Sequence, residues 1–85
     1  MWLSFCDPNK PEGTQFLGAC IVDADDIASA LTLSHSLGIN PGGEVAFVAF
    51  DREVPSKYVN VLMDKETIEA MDREMAQRMP KGTLR

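Results

Sequence analysis

The run EVAFVAF, residues 44–50, constrains the fold more than any other part of the sequence. Successive side chains of a strand point to opposite faces, and here both faces carry valine, phenylalanine or alanine. A strand that is apolar on both faces is typical of a sheet that is covered on both sides. We therefore expect 44–50 to be a central strand with a helix on one face and a second layer on the other.

Two more strands are predicted near the amino terminus. WLSFCD (2–7) and FLGACIV (16–22) are rich in aromatic and β-branched residues, and the intervening PNKPEGTQ has the prolines and glycine of a loop. An antiparallel pair would place Trp2 opposite Cys20. One face of the pair is then wholly apolar, with Leu3, Phe5, Leu17, Ala19 and Ile21. The other face is mixed, with Trp2, Ser4, Cys6, Phe16, Gly18 and Cys20.

Two helices are predicted, one before and one after the 44–50 strand in the sequence. The first begins after an N-cap at Asp23 and ends at Gly38, which would adopt the left-handed conformation while Ile39 folds back over the last turn. The second begins after an N-cap at Asp64 and carries an apolar stripe at helical spacing. The stripe comprises Ile68, Met71, Met75 and Met79.

The order of elements is ββαβ followed by a helix, which predicts a small α+β fold. It forms a single domain over residues 1–85, with 80–85 as a frayed tail. The strand 44–50 can lie beside the first strand, as in split βαβ folds, or beside the second strand in parallel. The first arrangement is preferred. A chain of 85 residues buries a modest core, so we also expect a homo-oligomer.

The charge balance limits the partners. A net charge of −5 opposes general nucleic-acid binding, which needs a basic stripe, and it opposes binding to an anionic membrane surface. No apolar run approaches the roughly 20 residues of a membrane-spanning helix, and no signal peptide leads the chain, so a cytoplasmic protein is expected. Cys6 and Cys20 provide neither a disulfide framework nor the paired spacing of a zinc site. Neither a metal nor another cofactor is expected.

The loop GINPGGEV (38–45) holds three of the six glycines and invites comparison with phosphate-binding loops. Those loops run from a strand through glycines to a helix N-terminus. This loop instead leaves a helix C-terminus, where the dipole is negative and Glu44 adds a further negative charge. We interpret it first as a corner, with Pro41 and Gly42 at the centre of a type II turn.

The mixed face of the first two strands leaves three alternatives open. The C-terminal helix can cover it, a second copy can cover it, or part of it can receive a flat ligand beside Trp2, where Gly18 leaves a gap. In the last case the loop would meet hydrogen-bond donors through Asn40 and Glu44, and any phosphate would lie near Arg52 or Lys57. The candidate ligand-binding residues are Trp2, Ser4, Asn40, Gly42, Gly43, Glu44, Arg52 and Lys57.

No catalytic constellation is evident in the sequence. His35 is the only histidine, and its position near a helix C-terminus is typical of a capping or surface residue. An enzyme would need His35 beside Cys6 or Cys20 and an orienting acid, and no local pattern indicates this. An enzyme is therefore the last of three function classes, behind a ligand-binding protein and a protein inhibitor.

The segments WLSFCD (2–7), FLG (16–18) and LGINPGGEV (37–45) together resemble a group of small uncharacterised proteins found in phages and bacteria. The resemblance covers residues 2–48 and leaves 51–85 uncovered. It conveys no activity, but it implies stoichiometric binding in a host cytoplasm, either of a nucleotide immune signal or of a host protein.

These observations favour a non-catalytic protein that binds a small ligand and sequesters a nucleotide-like signal. The alternative is an anti-defence inhibitor that binds a host protein through its acidic surface and its C-terminal helix.

Overall fold

A computed structural model describes residues 1–78 of the chain. Three strands, two helices and a short 3₁₀ turn make up this part. They are β1 (Trp2–Cys6), β2 (Phe16–Ile21), α1 (Ile27–Ser36), β3 (Glu44–Val48), the 3₁₀ turn (Ser56–Tyr58) and α2 (Lys65–Arg78). The predicted α+β class is confirmed. Met79, at the end of the predicted stripe, and the predicted frayed tail at 80–85 lie outside the described residues.

The three strands form one antiparallel sheet in the order β2-β1-β3. Trp2 lies opposite Val48, so β3 runs beside β1, as preferred from the sequence. The central strand is therefore β1, and the expectation that 44–50 would be central is wrong. β3 is an edge strand, and residues 46–49 are exposed.

A bulge at Leu17 changes the pairing of β1 with β2. Cys6 pairs with Phe16 and Phe5 pairs with Gly18, so one residue of β2 has no partner on β1. Gly18 has a φ of +136°, a conformation that glycine adopts without strain.

The bulge exchanges the faces of the residues that follow it. Trp2 pairs with Ile21 rather than with Cys20, and Leu3 pairs with Cys20. Because cross-strand partners share a face, Ile21 joins Trp2 on one face and Cys20 joins Leu3 on the other. The predicted sorting of residues 18–21 between the two faces is therefore wrong. Gly18 pairs with Phe5 instead of Ser4, so the gap expected on the Trp2 face is wrong as well.

Each face of the sheet is covered by one helix. On one face a buried cluster forms with α1, and it comprises Leu3, Phe5, Cys20, Val22 and Ala30. On the other face a cluster forms with α2, and it comprises Ile21, Tyr58, Met63, Met71 and Met75. Trp2 packs against this second cluster, so α2 of the same chain covers part of the face that the sequence left open. Both clusters are built mainly on β1 and β2, which leaves most of β3 exposed.

The N-cap of α1 is Asp26, whose Oδ1 accepts a hydrogen bond of 2.8 Å from the Ser29 N–H. The predicted N-cap at Asp23 is wrong. Val22 is buried in the cluster beneath α1, and the backbone does not become helical until Ile27. The four residues 22–25 therefore connect the end of β2 to the N-cap.

The other predicted helix ends are confirmed. Gly38 has a φ of +72°, and the Ile39 N–H donates to the Ser34 carbonyl at 3.0 Å, as in a Schellman motif. Asp64 caps α2, with its Oδ1 accepting a hydrogen bond of 2.8 Å from the Thr67 N–H. Hydrogen bonds from the Thr67 hydroxyl and N–H hold the pKa of the Asp64 carboxyl below its usual value.

The two edges of the sheet differ. On the outer side of β2, Ala19 exchanges two backbone hydrogen bonds with Met63, at 3.0 and 2.7 Å, and the Asn60 N–H donates to the Ile21 carbonyl at 2.9 Å. The segment 59–63, which carries no strand prediction, therefore covers this edge. On the outer side of β3, no segment of the described chain is paired.

Candidate functional site

A cleft of about 280 Å³ lies between the sheet and α2, at the Trp2 end of β1. Its helix side comes from positions spaced three and four apart, which share one face of α2. The lining residues are Trp2, Val48, Phe50, Arg52, Ile68, Met71, Asp72 and Met75. All but the arginine and the aspartate are apolar, so the cleft suits an apolar or aromatic group.

Trp2 and Phe50 form an aromatic wall. Their ring centroids are 6.0 Å apart and their planes are inclined by 35°, which lies within the range of favourable aromatic pairs. Both side chains are half-buried. An indole held in place by the sheet and still partly open is a surface on which another flat ring can stack.

The opposite wall is formed by α2. Met71 and Met75 are buried, and Ile68 is half-buried. Methionine side chains are unbranched and polarizable, and their sulfur atoms make favourable contacts with aromatic rings. This wall can therefore adjust its shape around a ring in the cleft.

Two charged residues lie at the mouth of the cleft. Arg52 and Asp72 are both exposed, and neither forms an ion pair within residues 1–78. A guanidinium presents its N–H donors as a planar fork that matches carboxylate and phosphate groups. Arg52 also lines a neighbouring depression of about 230 Å³ next to Val54. It can therefore bind an anionic group that extends out of the cleft.

Lys57, the other basic residue predicted to bind phosphate, is engaged elsewhere. Its Nζ lies 3.0 Å from Glu74 Oε1 and 5.1 Å from the centre of the Tyr58 ring. The Tyr58 hydroxyl donates a hydrogen bond to the other carboxylate oxygen of Glu74. Hydrogen bonding to Glu74 is the main cause that raises the pKa of both Lys57 and Tyr58. These contacts connect the 3₁₀ turn to α2, and Lys57 does not line the cleft.

The glycine loop is organised by Asn40. Its Nδ2 donates to the hydroxyl of the buried Ser34 at 3.0 Å, and its Oδ1 accepts from the Gly42 N–H at 2.8 Å. Gly42 has a φ of +86°, as the third position of a type II turn requires, and the bond from its N–H to Asn40 Oδ1 forms an Asx turn at the same corner. Asn40 therefore stabilises the corner between α1 and β3.

The loop and the cleft lie at opposite ends of the sheet. Glu44 is opposite Cys6, whereas Val48 is opposite Trp2. The two pairs are four residue steps apart along β3, which is roughly 13 Å at the usual rise per residue. The loop therefore cannot share a small ligand with the Trp2 end.

Of the predicted ligand-binding residues, Trp2 and Arg52 line the cleft. Ser4 lies on the same sheet face as Trp2 but does not line the cleft. Lys57 is bound to Glu74. The remaining four lie at the far end of the sheet, and they are Asn40, Gly42, Gly43 and Glu44.

Most of the lining is not predicted as a site. The additional residues are Val48, Phe50, Ile68, Met71, Asp72 and Met75. The methionine stripe and the apolar run 44–50 are visible in the sequence, but each is also typical of a core. Their convergence depends on how α2 packs on the sheet, and Asp72 carries no signal of its own.

The three residues considered for catalysis are dispersed. Cys20 is buried on the α1 side of the sheet, and its burial raises the pKa of the thiol and so disfavours the thiolate. Cys6 is half-buried and lies on the opposite face, as its position in β1 relative to Leu3 and Phe5 requires. His35 is exposed on α1. The sheet therefore separates the two thiols.

Comparisons with family models, curated proteins and solved structures find no match for this chain. Within residues 1–78, no helix is long and apolar enough to cross a membrane, and no three His, Cys, Asp or Glu side chains are grouped to hold a metal ion. The function is therefore inferred from the cleft.

Proposed function

We propose that this protein is a non-catalytic binding protein that holds a small planar ligand with an anionic group, such as a mononucleotide, in the cleft beside Trp2. One observation carries the proposal. An apolar cleft with an aromatic wall has an exposed arginine at its mouth, and Arg52 forms no ion pair within the described chain.

The size of the cleft supports a ligand of one or two rings. Its volume of about 280 Å³ lies just below the usual range of roughly 300–1,000 Å³ for small-molecule sites. A nucleobase stacked on Trp2 would gain about 1–3 kcal/mol, the usual contribution of base–aromatic stacking. Arg52 would bind the phosphate through charge-assisted hydrogen bonds, and Asp72 would accept a hydrogen bond from an amino group of the base.

The dispersal of Cys6, Cys20 and His35 supports binding without catalysis. The resemblance to small phage and bacterial proteins suggests the setting, which is the sequestration of a nucleotide signal in the cytoplasm of a host. Sequestration requires one ligand per site and no turnover.

The alternative is an inhibitor that binds a host protein through its acidic surface. Glu66 and Glu69 are exposed on α2 and support it. It has less support than ligand binding, because Glu74, another carboxylate of this helix, is held by Lys57 and Tyr58 instead of facing a partner.

Isothermal titration calorimetry with a nucleoside and its monophosphate tests the proposal. The wild-type protein should bind the monophosphate more tightly than the nucleoside. The substitution Arg52→Gln should remove this preference while it leaves nucleoside binding unchanged. The expected loss is about tenfold, at the lower end for a hydrogen bond to a charged group, because Arg52 is exposed.

Arg73→Gln is the matched control, since Arg73 is also an exposed arginine but lies outside the cleft. It should leave both affinities unchanged. Equal losses in the two variants would show a general charge effect and would refute the assignment of Arg52. No binding of any nucleoside or nucleotide in a panel covering all common bases would refute the ligand class.

A further inference from the structure

The outer edge of β3 is an open hydrogen-bonding edge. Its partner on the inner side is β1, and on the outer side no segment of the described residues pairs with it. The opposite edge of the sheet is covered by 59–63. An open edge presents backbone N–H and C=O groups that can pair with another strand.

The pairing shows which backbone groups point outward. Ala19 makes its hydrogen bonds on the outer side of β2, so it turns away from β1, and its partner Ser4 turns toward β3. Ala46 is opposite Ser4 and therefore bonds to β1. Because alternate residues of a strand direct their backbone groups to opposite sides, Val45 and Phe47 direct theirs outward.

The side chains along this edge are apolar and exposed. Phe47 is 53% exposed and Val48 is 56% exposed, on opposite faces of the sheet. Monomeric proteins usually protect an edge strand with lysine, proline or a bulge. Between Val45 and Phe50 there is no charged residue and no proline. Glu44, at the first position of β3, is the one charged side chain of this strand, and the rest of the strand carries neither a charge nor a proline.

We propose that β3 pairs antiparallel with β3 of a second copy, about a two-fold axis through Ala46, to form a continuous six-stranded sheet. Ala46 is the middle residue of the five in β3, so every residue of the strand lies opposite a residue of the second copy's strand. Val45 of each copy then lies opposite Phe47 of the other, and these are the residues whose backbone groups point outward. A pair of β-branched and aromatic side chains is favourable across antiparallel strands.

The same register keeps like charges apart. Glu44 of one copy lies opposite Val48 of the other, so the two carboxylates are at opposite ends of the shared ladder. Because Val48 lines the cleft, Glu44 of the second copy would lie beside the cleft. A chain with one open edge closes after two copies, which predicts a dimer rather than a filament.

Sedimentation velocity over a range of concentrations tests the dimer. The wild-type protein should approach twice its 9.3 kDa mass as the concentration rises. Phe47→Lys should raise the dissociation constant about tenfold or more, since two symmetry-related Val45–Phe47 pairs are lost. Val61→Lys is the control, because Val61 is also exposed, at 39%, but lies on the covered side of the sheet.

Amide hydrogen exchange measured by NMR gives an independent readout. In the monomer the Ala46 amide should be protected, while those of Val45 and Phe47 should exchange rapidly. Raising the concentration should slow exchange at these two amides. A wild-type protein that stays monomeric, a dimer that Phe47→Lys leaves intact, or exchange at Val45 and Phe47 that does not depend on concentration would each overturn the proposal.

Discussion

Gly43 occupies a position that no other residue fits. Its φ is +77°, and an added Cβ would overlap the carbonyl oxygen of Cys6 and lie 2.9 Å from Leu17 Cδ1. Gly42 next to it has a similar φ of +86°, but a Cβ there would meet open space. The two neighbours therefore share the backbone requirement and differ only in the space around them.

Alanine substitutions at Gly42 and Gly43 separate the cost of the left-handed backbone from the cost of steric overlap. Gly42→Ala should lower the free energy of unfolding by about 1–2 kcal/mol, because an L-residue resists a left-handed backbone. Gly43→Ala should lose about 1–3 kcal/mol more through overlap with the backbone of β1. Urea denaturation measures both values, and equal losses would contradict the close approach of the loop to Cys6.

At the level of elements, the start of α1 depends on one of several acidic residues that look equivalent in the sequence. Asp26→Ala should lower the free energy of unfolding by about 1 kcal/mol, since it removes the hydrogen bond to the Ser29 N–H. Asp23→Ala should change it by less than about 0.5 kcal/mol, as at most exposed positions. Thermal or urea unfolding decides between them, and a larger effect at Asp23 would place the cap where the sequence predicted it.

The connection between the 3₁₀ turn and α2 should depend on pH. The pKa of Tyr58 is raised above its usual value of 10.0, chiefly by its hydrogen bond to Glu74. A raised pKa in the folded state means that this stabilisation is complete below pH 10. It is lost as the pH rises through the folded pKa of Tyr58. Lys57, whose pKa is raised by the same carboxylate, contributes in the same direction.

The chain has a single tyrosine, so tyrosinate absorbance reports this group alone. Its titration midpoint in the folded protein should lie above that of the urea-unfolded chain. Glu74→Gln should lower the midpoint, because the negative charge that opposes ionisation is gone. A midpoint that is the same in the folded protein, the unfolded chain and the variant would contradict the contact.

The element order, the split βαβ arrangement, the end of α1 and the start of α2 could be predicted, because each depends on local signals. The pairing of β1 and β2 could not, since one extra residue at Leu17 reverses the faces of all the residues after it. The apolar run 44–50 was ambiguous for a physical reason. Apolar residues on both faces suit a central strand, and they also suit an edge strand that another chain covers.

At the level of the whole molecule, the two helices lie on opposite faces of a narrow sheet and together leave β3 exposed. The cleft lies where one face of α2, with Ile68, Met71 and Met75, meets the Trp2 end of β1. Trp2 and Arg52 could be proposed from the sequence as ligand-binding residues. The sequence alone does not show that the glycine loop is separate from the Trp2 site. This depends on the sheet register, which places the loop at the far end of β1.

Trp2 is the only tryptophan of the chain and lies in the cleft, so its fluorescence reports occupancy of the site. Titration of the wild-type protein with nucleoside monophosphates is the most direct test of the proposed function, with free tryptophan as the reference for light absorbed by the ligand. We expect a saturable change in Trp2 emission with at least one of these monophosphates. If the emission change matched that of free tryptophan for the monophosphates of all common bases, ligand binding in this cleft would be contradicted.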